Sequence, residues 1–139
     1  MNRSHFWIGC LLVVAATVGM TVLCWAQQEQ WTFYFTHNSA RLNVNGDGPR
    51  GNHHDELNTL DQVGVQMRQH ADARAQIIGY AQPDEKDPPR LIGALAELRA
   101  ERAKAYLVTV QGIDPARITT AGEKSSTRGP CAVVTLRQE

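Results

Sequence analysis

The sequence predicts an α+β domain: a two-layer βαβαββ sandwich, with two helices on one face of a small mixed sheet, preceded by an N-terminal hydrophobic segment. Short runs of alternating apolar residues take turns with two longer stretches of helical periodicity. Strings rich in glycine and proline separate them. Strands that alternate with helices require crossover connections, and these lay the helices together on a sheet face.

Trp31 to Phe35 alternates, with Trp31, Phe33 and Phe35 on one side, and reads as the first strand. The segment from Asn43 to Asn52 holds Gly46, Gly48, Pro49 and Gly51 and reads as a loop. Asp55 to His70 follows as a helix, opened by acidic residues, with Leu57, Leu60, Val63, Gly64 and Met67 along one face. Ala75 to Ala81 is the second strand, and Gln82 to Pro89 breaks the chain with Pro83, Pro88 and Pro89. Arg90 to Val110 is the longest helical stretch, and Gly112 is its natural stop. Arg117 to Thr120 and Ala132 to Leu136 complete the order as short strands.

The 139 residues carry 14 basic and 14 acidic side chains, so the net charge is zero, and no basic tract of the kind nucleic acid requires is present. The charge is unevenly placed: no charged residue lies between Phe6 and Gln28. The apolar run is about 20 residues long, which suits a helix crossing a ~30 Å hydrocarbon core. Residues 1–26 therefore read as a membrane anchor, residues 27–30 as a short linker and residues 31–139 as the domain. Arg3 before the run places the N-terminus in the cytoplasm and the domain outside. Two other readings stay open: a signal peptide cleaved after Cys24-Trp25-Ala26, and lipid attachment at Cys24. All three export the domain. Cys10, Cys24 and Cys131 supply no disulfide framework, so the domain must be held by its core.

One residue stands apart. At about 100° per residue, Arg99 falls inside the apolar stripe formed by Ile92, Leu95, Ala96, Ala103, Tyr106, Leu107 and Val110. A guanidinium there needs a partner, because an uncompensated buried charge costs several kcal/mol. Either it snorkels or pairs with an internal carboxylate, or it stands at the rim of a pocket and offers its planar fork to an anionic ligand.

Several strings, in order, resemble the OmpA-like C-terminal domain family of peptidoglycan-associating envelope modules. Phe35 with Asn38-Ser39-Ala40-Arg41-Leu42 is similar to the family's F-x-x-D-S-A-x-L, and Ile77-Ile78-Gly79-Tyr80 to its I-x-G-Y/H-T-D strand. Leu95-Ala96-Glu97-Leu98-Arg99-Ala100 is similar to L-S-x-x-R-A, and Tyr106-Leu107, Gly112-Ile113, Arg117-Ile118 and Gly122 follow the remaining positions. The resemblance spans about Trp31 to Leu136. It implies a periplasmic cleft for the diaminopimelate of a peptidoglycan stem peptide, in which an Asp binds the ligand's ammonium and an Arg its carboxylate. Residue by residue, the Arg is Arg99 and the Asp position is Gln82. Gln82 carries no charge, and losing one charge-assisted hydrogen bond weakens binding by roughly one to two decades. Asp84 is the candidate to stand in for the missing carboxylate, with Asp87 behind it and a solvated loop acid as the alternative reading of each.

Other constellations are weaker. Asn43-Val44-Asn45-Gly46-Asp47-Gly48 is similar to the start of a calcium loop, but His54 stands where a bidentate Glu is required. His53, His54, Asp55 and Glu56 are consecutive, so their side chains diverge at a helix start. No nucleophile, P-loop or zinc-binding motif occurs, and Cys131 reads as a strand-edge thiol.

The expectation is a non-enzymatic envelope protein of a diderm bacterium that needs no cofactor and binds peptidoglycan weakly through Arg99, Gln82 and Asp84. It is held to the inner membrane, or free in the periplasm after cleavage. The alternative is a structural subunit of an envelope complex, with a protein partner, which keeps the fold and has lost wall binding. A four-residue linker reaches only about 15 Å from a bilayer, which favours the alternative if the anchor is retained.

Overall fold

The computed structural model describes residues 28–42, 56–85 and 92–138. The predicted hydrophobic segment, the Asn43 to Asn52 loop, the His53 to Asp55 start of the first helix, and Asp87 lie outside the described residues. Among the described residues no helix is long and apolar enough to cross a membrane.

The elements run β1 (Glu29–Tyr34), α1 (Glu56–Gln69), β2 (Arg74–Ala81), α2 (Ile92–Thr109), a 3-10 turn at Pro115–Arg117, β3 (Ile118–Lys124) and β4 (Cys131–Arg137). The sheet order is β1-β4-β2-β3. The last strand therefore enters between the first two, antiparallel to both, while β2 and β3 run parallel. This mixed sheet with two helices is the α+β architecture the periodicity predicts. Burial on both faces fits the central position of β4, where every residue from Cys131 to Leu136 is buried.

Two strand boundaries differ from the sequence reading by two or more residues. β1 starts at Glu29, inside the segment read as linker, because Glu29 and Gln30 pair with Leu136 and Thr135. β3 continues to Lys124 rather than stopping at Thr120. Its polar second half has little strand propensity of its own, but parallel pairing with β2 runs through Ala81 opposite Lys124, and the tertiary ladder decides.

One core joins both helices to the sheet. Phe33 and Phe35 of the β1 segment, Leu60, Val63 and Met67 of α1, Ile77 of β2, Ala100, Ala103 and Leu107 of α2, and Val134 of β4 are all buried in it. Trp31 packs against it from the edge. The predicted α2 stripe holds as far as Leu107; Val110 lies beyond the helix end and is 59% exposed. Gly112 adopts φ +68°, a left-handed value open to glycine, and the chain reverses so that Ile113 N–H donates to Leu107 O at 3.0 Å.

Arg117 fastens the far end of α1. Its guanidinium donates to the carbonyl of Met67 (2.8 Å) in the last turn of the helix and to those of His70 (2.8 Å) and Ala73 (2.7 Å) in the turn that follows. Arg117→Ala is expected to cost about 1–3 kcal/mol of stability, read as a lower midpoint in urea with an unchanged m-value.

Candidate functional site: a carboxylate held by Arg99

The site lies where three segments meet at one end of the sheet: the turn after β1, the end of β2, and the first half of α2. Arg99 enters it from α2 because helical periodicity turns that position toward the core, and its side chain is fully buried. Phe35 lies under it, with the guanidinium carbon 5.6 Å from the ring centroid, within cation–π range.

The partner is Glu85, also fully buried. Arg99 Nη1 donates to Glu85 Oε2 at 2.7 Å, and Nη2 donates to Glu85 Oε1, giving a two-pronged pair. The remaining donors meet backbone carbonyls: Nε to Ser39 O at 2.9 Å, Nη1 to Tyr80 O at 2.8 Å, and Nη2 to Thr36 O at 3.4 Å. A guanidinium has five N–H donors; the five contacts use them all.

Glu85 is equally well served. Besides the guanidinium, Oε1 accepts Asn38 N–H and Oε2 accepts Gln82 N–H, both at 2.8 Å. Asn38 sits at φ 57°, a left-handed conformation that asparagine tolerates better than most residues, within the turn closed by Ser39 N–H to Thr36 O. Gln82-Pro83-Asp84-Glu85 is a tight turn, closed by Glu85 N–H to Gln82 O at 3.2 Å. Proline at its second position and aspartate at its third suit that geometry. Turn and helix together therefore place a carboxylate in a cradle of two backbone amides and one guanidinium.

Burial pushes the Glu85 carboxyl up, but the Arg99 hydrogen bond, the amides of Gln82 and Asn38, and the Arg99 charge together hold it below its ordinary value of 4.5. Of the other ionisable groups nearby, His37 Nδ1 lies 3.9 Å from Oε1, on a side chain that is 48% exposed. A carboxyl lowered by folding contributes stability that is complete above the unfolded value and is lost as the pH falls through the folded one. Urea midpoints should accordingly drop on acidification below 4.5, and Glu85→Gln should flatten that slope.

The sequence-predicted residues fall differently around this centre. Arg99 is at its heart. Gln82 contributes its backbone, and it lines a separate pocket of about 440 Å³ with Thr32, Tyr34, Arg128 and Cys131. Asp84, at the apex of the turn, is exposed. The residue that sequence reasoning passed over is Glu85. The available signal was turn chemistry: a Pro-Asp centre returns its fourth residue over its first. Among the described residues no group of three or more His, Cys, Asp or Glu converges in a way that would hold a metal ion.

The lowered strand floor beneath α2 is also part of the site. Gly79 and Gly122 are register partners on β2 and β3, and the α2 backbone at Ala96 and Glu97 rests on them. Without side chains there, α2 sits close enough for Arg99 to reach Tyr80 O.

No protein-family model and no curated protein matches the chain. Solved structures do. The OmpA-like domain of FopA1 from Francisella tularensis subsp. tularensis SCHU S4 superposes with a TM-score of 0.59 at 14% identity, covering 79% of this chain and 75% of that one. This chain has the OmpA-like fold. The cell wall anchor of the T6SS from Pseudomonas aeruginosa superposes on the domain with a TM-score of 0.59 at 15% identity, covering 81% of this chain and 82% of its own. The peptidoglycan-associated lipoprotein from Burkholderia pseudomallei gives 0.58 at 17% identity, with coverages of 76% and 89%. At these identities the shared property is the fold, and the chemistry of the site rests on this chain's own residues.

Proposed function

We propose that the chain is a non-catalytic module of a diderm cell envelope that associates weakly with peptidoglycan on the periplasmic side of the inner membrane. It would do so through a free carboxylate of a diaminopimelate-type stem peptide. The observation that carries this reading is the cradle itself: Arg99 and the amides of Asn38 and Gln82 converge on a single carboxylate. That is the chemistry such a ligand's free end requires. The OmpA-like fold supports it, as do the cell wall anchor and the peptidoglycan-associated lipoprotein among its structural neighbours. Gln82, in place of a carboxylate for the ligand's ammonium, supports weakness.

A second reading has its own observation. Since Glu85 and three carbonyls engage every Arg99 donor, the fold is also suited to an interaction subunit that no longer holds the wall. Co-sedimentation of the full-length protein with purified sacculi separates the two. Under the first reading the protein pellets, free meso-diaminopimelate releases it, and Gln82→Asp tightens retention by roughly one to two decades. Absence from the pellet in both forms, with both folded, leaves the interaction subunit.

A further inference from the structure

The contacts of Glu85 are those of a bound ligand rather than of an ordinary structural acid. Its carboxylate takes two guanidinium donors from α2, one backbone amide from Asn38 in the turn after β1, and one from Gln82 at the start of its own turn. About four lone-pair directions are what a carboxylate has to offer, so the cradle fits the functional group, not the side chain behind it. Glu85 itself arrives on a short leash, the turn that starts at Gln82, and its exposed neighbour Asp84 shows that the chain at this point lies at the surface.

We propose that Glu85 is a tethered occupant of a carboxylate receptor, closing a site that accepts an external carboxylate once Glu85 is withdrawn. That external carboxylate being a peptidoglycan end rests on the function proposed above; the tethered occupancy does not. A short tether acts as a local ligand at millimolar effective concentration or more, and an external ligand binds only the fraction of molecules in which the turn has swung out. Its apparent dissociation constant is the intrinsic one divided by that fraction. Wall binding would thereby be held weak by the chain's own side chain, in addition to what Gln82 removes.

The test is rescue by a small carboxylate. Glu85→Ala in the full-length protein leaves a hole the size of acetate facing Arg99 and the two amides. Acetate, compared with chloride at equal ionic strength, is expected to raise the melting temperature of this variant and leave the wild type unmoved. If the variant folds only in acetate, that outcome is the same rescue; failure to fold in either salt overturns the proposal. Glu85→Ser, which vacates the same space, is the second variant and is expected to respond in the same direction. No acetate response in either folded variant overturns the tethered occupant. With meso-diaminopimelate as the probe, Glu85→Ala is expected to bind at least tenfold more tightly than wild type. Acetate rescue without diaminopimelate binding by any form keeps the tethered occupant and removes the peptidoglycan reading.

Discussion

Arg99→Ala is expected to remove about 3–5 kcal/mol of stability, because it leaves the fully buried Glu85 carboxylate without a counter-charge. Glu85→Ala should lose a comparable amount for the mirror reason. The two losses will not add: once one partner is gone the other no longer has a pair to lose, so the double variant should fall well short of the sum. Nor should an apolar pair such as Arg99→Met with Glu85→Leu recover the wild-type value, although replacing a buried ion pair is often neutral. Arg99 also serves the carbonyls of Thr36, Ser39 and Tyr80, and the amides of Asn38 and Gln82 depend on Glu85. Each stranded group costs about 1 kcal/mol or more. A double-mutant cycle in urea reads all of this. Full recovery by the apolar pair would show that the cradle contributes nothing beyond the ion pair. The size of these effects also means that loss of wall binding in Arg99→Ala says little by itself, which is why competition by free diaminopimelate is the better probe of function.

Much of this was legible in the chain. The apolar stripe of α2 marks Arg99 as out of place, and a buried guanidinium demands either an internal carboxylate or a pocket. The order of elements followed from periodicity and breakers, since local pattern and burial agree wherever a face is apolar. Reach and register were less visible. Asp84, Glu85 and Asp87 are nearly equivalent as residue types in a polar loop. Only the turn geometry, with Glu85 N–H closing on Gln82 O, decides that the second of them enters the core while Asp84 stays outside. The length of β3 was hidden for a related reason: its pairing with β2, and not its own composition, extends it to Lys124. Sheet order was out of reach, because nothing local marks β4 as the strand that enters between β1 and β2.

The same non-local logic makes Gly79 the most sensitive backbone position near the site. A methyl group there would overlap the carbonyl oxygen of Ala96 and lie 2.9 Å from Ala100 N, both backbone atoms of α2. A side chain can rotate away from such a clash; a helix backbone has to move as a whole. Overpacking of a well-filled core typically costs 1–3 kcal/mol, and Gly79→Ala is expected at about 3 kcal/mol or more because only displacement of α2 relieves it. Gly122→Ala should behave alike, since its methyl would meet the backbone of Glu97, with Cα at 2.8 Å. Gly93 is the control. It lies within α2, and the nearest atom to a methyl there is Lys124 Cε at 3.9 Å. Gly93→Ala should therefore be neutral or gain up to about 1 kcal/mol from helix propensity and a less flexible unfolded chain. Thermal melts of the three variants side by side check the contrast. If Gly79→Ala melts like Gly93→Ala, α2 is free to rise off the sheet. The close seat that brings Arg99 to Tyr80 O and Glu85 would then not be what fixes the cradle.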